Sequence, residues 1–528
     1  MRMVRLVLLG FLAGLLLLSA CGQQQFREQD ILITLDSLEH KLEWLEYQVT
    51  LKTWDFYVSG QSDSLQFYRN LYNELVSDEA AFNQLVNGRV LLSEEIDQAR
   101  CDKFLTAFLY GRVEDDFDIG ILRDSLTGVE MTFRAEFEGE KRSRSYLYTI
   151  QRNDPNRRRR ESAFRARTSI GDELADGLSQ LFRLRNQKSR RLGYNNFMAL
   201  VFSRSGLDLD EYRRLLNHLD SLTRDVYLDI VDRIGVKLNV NDLEYWDVGY
   251  AYADINPAVD SYFPADSQLP YIRRTLRALD FNLDKMPIYF DLDTREGKSQ
   301  FTASFPVKPP YDVRVMGNQS PGMWSTFVLF HEIGHAIHFA SVAQESPAFG
   351  RFIDGCWTEG MAQILPLMLE EKEWLQKYAK MPAALADSYL ASLKEQEVIS
   401  LRIQLLRLNF EYEAYANPNR DLNKLYWDLF DKYMLLPRHD DVKPWATVTH
   451  FISVPVYMQN YLYADIIAAQ TWAWLKENYG SPVDNPKVSA FLIQNFYRFG
   501  GRYDWRELLV RGTGEEFNPE YMIDRLGL

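Results

Sequence analysis

The segment Ser320-Pro-Gly-Met-Trp-Ser-Thr-Phe-Val-Leu-Phe-His-Glu-Ile-Gly-His-Ala-Ile-His-Phe leaves the chain little freedom in how it folds. Ser320 can cap a helix, and Pro321 suits the first helical position, where a missing N–H costs nothing. Within that helix His331 and His335 stand four residues apart, so they project about 40° from each other on successive turns. Two imidazoles so placed can share one cation. Glu332, rotated by one residue, can reach a water beside the cation without binding the cation itself. A helix that carries this set on an otherwise apolar surface needs other elements to cover it and to complete the site.

His-Glu-x-x-His is the arrangement of zinc peptidases, and zinc favours nitrogen ligands at about 2.0–2.1 Å. A catalytic zinc takes three protein ligands and keeps one position open. A third histidine in the metzincin manner would need glycine at 338 and histidine at 341, but the sequence has His338 and Ser341. His338 lies about 10 Å along the axis from His331 and reads as a packing or supporting residue. A carboxylate on the next helix remains. Trp357-Thr-Glu-Gly-Met-Ala-Gln-Ile-Leu offers Glu359, 24 residues after His335, in apolar text where an unpaired carboxylate is costly. Glu345 is nearer in sequence but falls in the exit turn before Pro347.

The rest of the chain reads as mainly α. Asp210 to Leu222 repeats leucines three and four apart behind an acidic first turn, a helical signature. Asn153-Asp-Pro-Asn followed by four arginines reads as a turn and a solvated entry into a helix opening around Ser162. Met286 to Asp293 and Gln300 to Phe305 read as a small β-hairpin joined across Arg295-Glu-Gly-Lys. The 528 residues carry 60 Lys and Arg against 74 Asp and Glu, a net charge of −14, which excludes a non-specific nucleic-acid binder. Three cysteines are too few for a disulfide scaffold.

Residues 1–21 read as a targeting segment: Arg2 and Arg5, an apolar run from Leu6 to Leu18, then Leu18-Ser19-Ala20-Cys21. That ending resembles the lipobox of bacterial lipoprotein signals, which implies lipidation of Cys21. The expectation is an exported protein tethered to the bacterial membrane only through its N-terminal lipid, on the periplasmic or cell-surface face. Residues 22–528 then form one helical domain.

Several motifs together resemble the gluzincin metallopeptidases of the angiotensin-converting-enzyme family and the thimet/oligopeptidase F family. His331 to His338 is similar to the oligopeptidase form, and the step to Glu359 to the converting-enzyme form. Asp291 to Lys298 resembles the hairpin preceding the oligopeptidase active site, and Asn186 to Phe197 a helix motif of both groups. His450-Phe-Ile-Ser-Val-Pro-Val-Tyr-Met-Gln-Asn-Tyr-Leu-Tyr resembles the segment supplying oxyanion donors. The resemblance implies two helical lobes flanking a deep substrate channel, with one small β-sheet near a single zinc ion held by His331, His335 and Glu359. It implies Glu332 as general base, and Tyr461 with His450 as oxyanion donors, Tyr463 being the substitute. Ser453 and Pro455 read as a helix entry that puts Tyr457 and Tyr461 on one face. Tyr457 and the edge-strand residues Ala303 and Ser304 are expected on the substrate. Where the converting enzyme has a supporting aspartate this chain has Gln363, and Asp354 is the candidate replacement. The implied activity is hydrolysis of short peptides, dipeptidyl-carboxypeptidase-like or oligoendopeptidase-like. The alternative is an inactive peptide-binding lipoprotein. The oligomeric state is not readable from the sequence.

Overall fold

The computed structural model describes residues 27–114, 116–343 and 345–528, so the targeting segment and Cys21 lie outside the described residues. The fold is mainly α, as expected, with two small sheets where one was expected. Three helices of 32, 30 and 34 residues, Glu28–Ser59, Leu209–Leu238 and Ala383–Ala416, form its frame. At 1.5 Å per residue each runs about 45–50 Å. Asp208 caps the second of these by accepting from the Asp210 and Glu211 N–H groups, and Leu215, Leu216 and Leu219 form its buried stripe. Among the described residues no helix is long and apolar enough to cross a membrane.

Buried apolar side chains gather in one large core reaching from Val113 to Leu526. A separate cluster joins Ile31, Leu35, Leu38 and Leu42 to Leu85, Phe104 and Phe108. Trp54, near the far end of the same N-terminal helix, packs with Phe305, Val307 and Met316 of a sheet. Cys101 and Cys356 are buried and free.

Two local expectations are corrected. The arginine helix, Arg157–Thr168, begins at Arg157 rather than Ser162, with Asn156 accepting from the Arg158 and Arg159 N–H groups. Its arginines are not a solvated entry. Arg157 and Arg160 share Asp247 at 2.9 and 2.6 Å, and the Asp247 side chain is fully buried. Arg159 pairs with Glu138 and Asp154. A charge run in a sequence cannot reveal carboxylates that arrive from other elements.

The second correction concerns the sheets. Strands β1 (Ala135–Phe137) and β2 (Glu140–Arg142) form an antiparallel hairpin that the sequence reading missed. Its turn is Glu138-Gly139, both with positive φ, the geometry two-residue hairpins favour. Strands β3 (Ile288–Asp291), β4 (Ala303–Lys308) and β5 (Asp312–Met316) make the other sheet, in the order β3-β5-β4. The expected hairpin between β3 and β4 does not form, because β5 lies between them, parallel to β3 and antiparallel to β4. The residues linking β3 to β4 instead wrap the buried Lys298 side chain. Its ammonium donates to the carbonyls of Asp291, Asp293 and Gly317 and to the Asp291 carboxylate. One lysine thereby satisfies the polar groups of a loop that a two-residue turn could not replace.

Candidate metal centre

The helix carrying the histidines spans Met323–Ala340. It starts after Ser320 and Pro321, and its cap comes from elsewhere: Asp260 Oδ1 accepts from the Met323 N–H at 2.8 Å. Strands β4 and β5 lie against this helix, and on another side it meets the helix Gly355–Gln363, which carries Glu359. That second helix is held between the histidine helix and the helix Gln459–Tyr479. Gly334 permits the closest approach. A Cβ there would stand 2.7 Å from the Ala362 carbonyl oxygen and 2.9 Å from its Cα.

This contact sets Glu359 against the imidazoles. His331 Nε2 and His335 Nε2 lie 3.2 and 3.4 Å from Glu359 Oε2. The two rings are perpendicular, with centroids 4.7 Å apart. Among the described residues these three form the one group whose ligand atoms, all within 4.8 Å of one another, could hold a metal ion. Glu359 Oε2 is buried and has no hydrogen-bond partner, although both Nε2 atoms are close. An oxygen stranded between two ring nitrogens is costly in a protein alone and is satisfied by a cation between the three. The residues therefore fit a divalent metal. Burial opposes ionisation of Glu359, but the proximity of His335 and His331 outweighs it and holds the carboxyl well below its ordinary range.

The remaining ligand atoms are also occupied. His331 Nδ1 lies 3.1 Å from Gln363 Oε1, an acceptor only, so Nδ1 carries the proton and Nε2 presents its lone pair. His335 Nδ1 meets Thr358 Oγ1 at 3.2 Å. The Tyr457 hydroxyl donates to Glu359 Oε1 at 2.5 Å. Gln363 thus fills the place where an aspartate was expected. Asp354 is not its replacement; it faces Lys103 at 3.6 Å. Thr358 was missed in the sequence, where its adjacency to Glu359 was the available signal. Glu345 pairs with Arg502 and is no ligand. His338 is fully buried, stacked on Phe339 and tilted against Tyr497, with neither ring nitrogen bonded. Burial brings its pKa down to about 3, so it is a neutral packing residue.

Glu332 lies beside the ligands. Burial pushes its carboxyl pKa up against the pull of the two histidines, and the Ser304 backbone N–H bonds its charged form. Ser304 and Ala303 sit on β4, an outer strand of the sheet. His450, in the short helix Thr449–Ser453, places Nε2 3.4 Å from the Tyr461 hydroxyl. The expected helix entry is corrected here: residues 454–458 form a turn, and Tyr457 precedes the helix that carries Tyr461. The two phenol rings still meet edge to face at 5.6 Å. Tyr457, expected on the substrate, spends its hydroxyl on Glu359. Tyr463 is buried against Phe517 and Trp505, turned away from His450 and Tyr461, and is no substitute for Tyr461. Two residues along a helix is about 200° of rotation.

Two imidazoles and one carboxylate gathered on packed helices, with a further carboxylate beside them, define a metal-dependent hydrolase. The family model for peptidase family M3 matches residues 150–528, and the chain belongs to that family. It is a metallopeptidase that hydrolyses oligopeptides, and His331, His335 and Glu359 form a metal site consistent with the zinc of the family. Solved structures share the fold at low identity. A candidate oligoendopeptidase F is 14% identical with a TM-score of 0.66, over 96% of this chain and 97% of that one. A Pz peptidase A bound to an inhibitor is 15% identical with a TM-score of 0.68, over 96% and 98%. No curated protein matches.

Proposed function

We propose that the protein binds one zinc ion through His331, His335 and Glu359 and cleaves short peptides outside the cytoplasm, tethered by a lipid on Cys21. The observation carrying the chemistry is the stranded Glu359 Oε2 facing two Nε2 atoms whose opposite ring nitrogens are engaged. Two nitrogens, one carboxylate and an open position are the donor set of catalytic zinc. When bound, zinc acts as a Lewis acid and acidifies water to a pKa of about 7. Glu332, its proton affinity raised by burial, takes the proton of the attacking water and delivers it to the leaving amine. Burial keeps the Tyr461 phenol protonated and His450 neutral, which supports both as donors to the carbonyl oxygen as it becomes negative. Loss of one such donor costs about 10²–10³ in kcat.

Ala303 and Ser304 on the outer strand support a peptide that adds to β4 through its backbone, in a channel between two helical lobes. The scission is either internal or a release of C-terminal dipeptides. Digestion of a mixed peptide library with and without chelator, read by mass spectrometry, tests the activity and separates these two patterns. Glu332→Gln is expected to keep zinc and lose turnover, and His335→Ala to lose both; native-rate cleavage by Glu332→Gln removes the base assignment. The intact set of both histidines, Glu332 and Glu359 argues against an inactive binding protein. For the anchor, Cys21→Ser is expected to move the protein from the membrane fraction to the soluble one. Retention in the membrane refutes it.

A further inference from the structure

Between the helix of His450 and the helix of Tyr461 the backbone does something a valine rarely does. Val456 has φ 52°, in the left-handed region, where a β-branched side chain crowds its own carbonyl. It is also buried, at 2% exposure, and follows Pro455. A residue keeps such a conformation only when its surroundings fix it from several directions.

Three side chains do so. The Val456 N–H donates to Glu411 Oε1 at 2.7 Å, and Gln459 Nε2 donates to the Val456 carbonyl at 2.8 Å. Upstream, Arg185 donates to the carbonyls of Phe451 and Ile452 at 2.6 and 2.8 Å. Arg185 is itself fully buried and paired with Glu114 through two nitrogens. Both charged residues sit on fixed supports. Glu411 lies on the long helix Ala383–Ala416, and Asn186, next to Arg185, binds the Tyr415 carbonyl of that helix at 2.8 Å.

We propose that Glu411 is a positioning residue of the peptidase site. Its carboxyl holds Val456 in the left-handed turn that directs the Tyr457 hydroxyl to Glu359 and starts the helix of Tyr461. Glu411 is 1% exposed, and its carboxyl accepts from the Val456 backbone N–H. Burying a carboxyl against a backbone N–H makes sense where that N–H belongs to a backbone that would otherwise relax. The inference rests on the reading that Tyr457 and Tyr461 serve the metal centre and the reacting carbonyl.

The test couples Glu411 to the backbone it holds. Glu411→Leu is expected to lower kcat by about ten- to a hundredfold, with KM within about threefold, zinc content unchanged and faster hydrogen exchange across residues 454–458. Glycine adopts positive φ without strain, so adding Val456→Gly is expected to recover most of the lost kcat. A Glu411→Leu enzyme with wild-type kcat and exchange, or a double variant no faster than the single one, overturns the proposal. Should Glu411→Leu not fold, the near-isosteric Glu411→Met takes its place: its thioether is only a weak acceptor for the Val456 N–H, so exchange across residues 454–458 rises and kcat falls. Exchange identical to wild type then overturns the holding role. Tyr457→Phe and Tyr461→Phe are measured in parallel. If both are at wild-type kcat, the tyrosine reading fails; if they are slow while Glu411→Leu is not, only the role of Glu411 fails.

Discussion

Gly334→Ala tests whether the spacing of two helices sets the metal centre. The added methyl carbon would sit 2.7 Å from the Ala362 carbonyl oxygen and 2.9 Å from the Ala362 Cα. Carbon contacts are comfortable at about 3.5–4.0 Å, so the two backbones must part by roughly 0.6 Å or more. Both atoms belong to backbone, so no rotamer change can absorb the clash. Gly334 immediately precedes His335, and Ala362 is three residues beyond Glu359, so the separation is transmitted to the ligands. Metal sites tolerate about 0.2 Å in ligand distances. The expected result is a loss of about ten- to a hundredfold in zinc affinity, the scale seen when ligand support is removed. Overpacking is expected to cost a further 1–3 kcal/mol or so of apoprotein stability. Titrating metal-free enzyme with zinc against a competing chelator measures the first effect, and thermal denaturation of the apoprotein the second. Wild-type zinc affinity in Gly334→Ala would show that this contact does not set the ligand geometry.

Gln363→Ala removes the acceptor that fixes the His331 tautomer and is expected to weaken zinc binding by about tenfold or more, with kcat of the fully loaded enzyme less affected. Zinc titration and kinetics at saturating metal separate the two. Burial pushes the Glu411 carboxyl up to about 7, against the Val456 N–H and Arg185, with Tyr212 and Tyr415 the other titratable groups beside it. A raised carboxyl contributes stability that is complete below the unfolded value, about 4.5, and is lost as pH climbs through about 7. Wild type is therefore expected to lose stability relative to Glu411→Gln between those limits, by something on the order of 3 kcal/mol. Parallel pH profiles of Tm for the two proteins would refute this.

The metal helix was legible because its signal is local: a period of one turn places His331 and His335 together whatever surrounds them. Glu359 was legible because a carboxylate in apolar text requires a partner. What partner strands, caps and carboxylates do was not legible, since each depends on residues distant in sequence. β5 separates β3 from β4, Asp260 caps the histidine helix, and Asp247 receives two of the four consecutive arginines. The segment from His450 to Tyr461 reads as a helix entry with both tyrosines on one face. The left-handed Val456 breaks that face, and propensity alone gives no reason to place a valine there. The two phenol rings meet all the same, with Arg185 bound to the backbone before the break, Glu411 to the Val456 N–H and Gln459 to the Val456 carbonyl.

Glu359 is shared property. One oxygen faces the two imidazoles while the other accepts a hydrogen bond from the hydroxyl of Tyr457, four residues before Tyr461 and in ring contact with it. An ion held by Glu359 is thus one hydrogen bond away from the arm bearing the phenol proposed to face the scissile carbonyl. Linkage runs both ways: a ligand that grips this arm only in its native pose must, by the same factor, strengthen retention of the ion. Cation loading and the pose of this arm are thereby linked through one shared carboxylate.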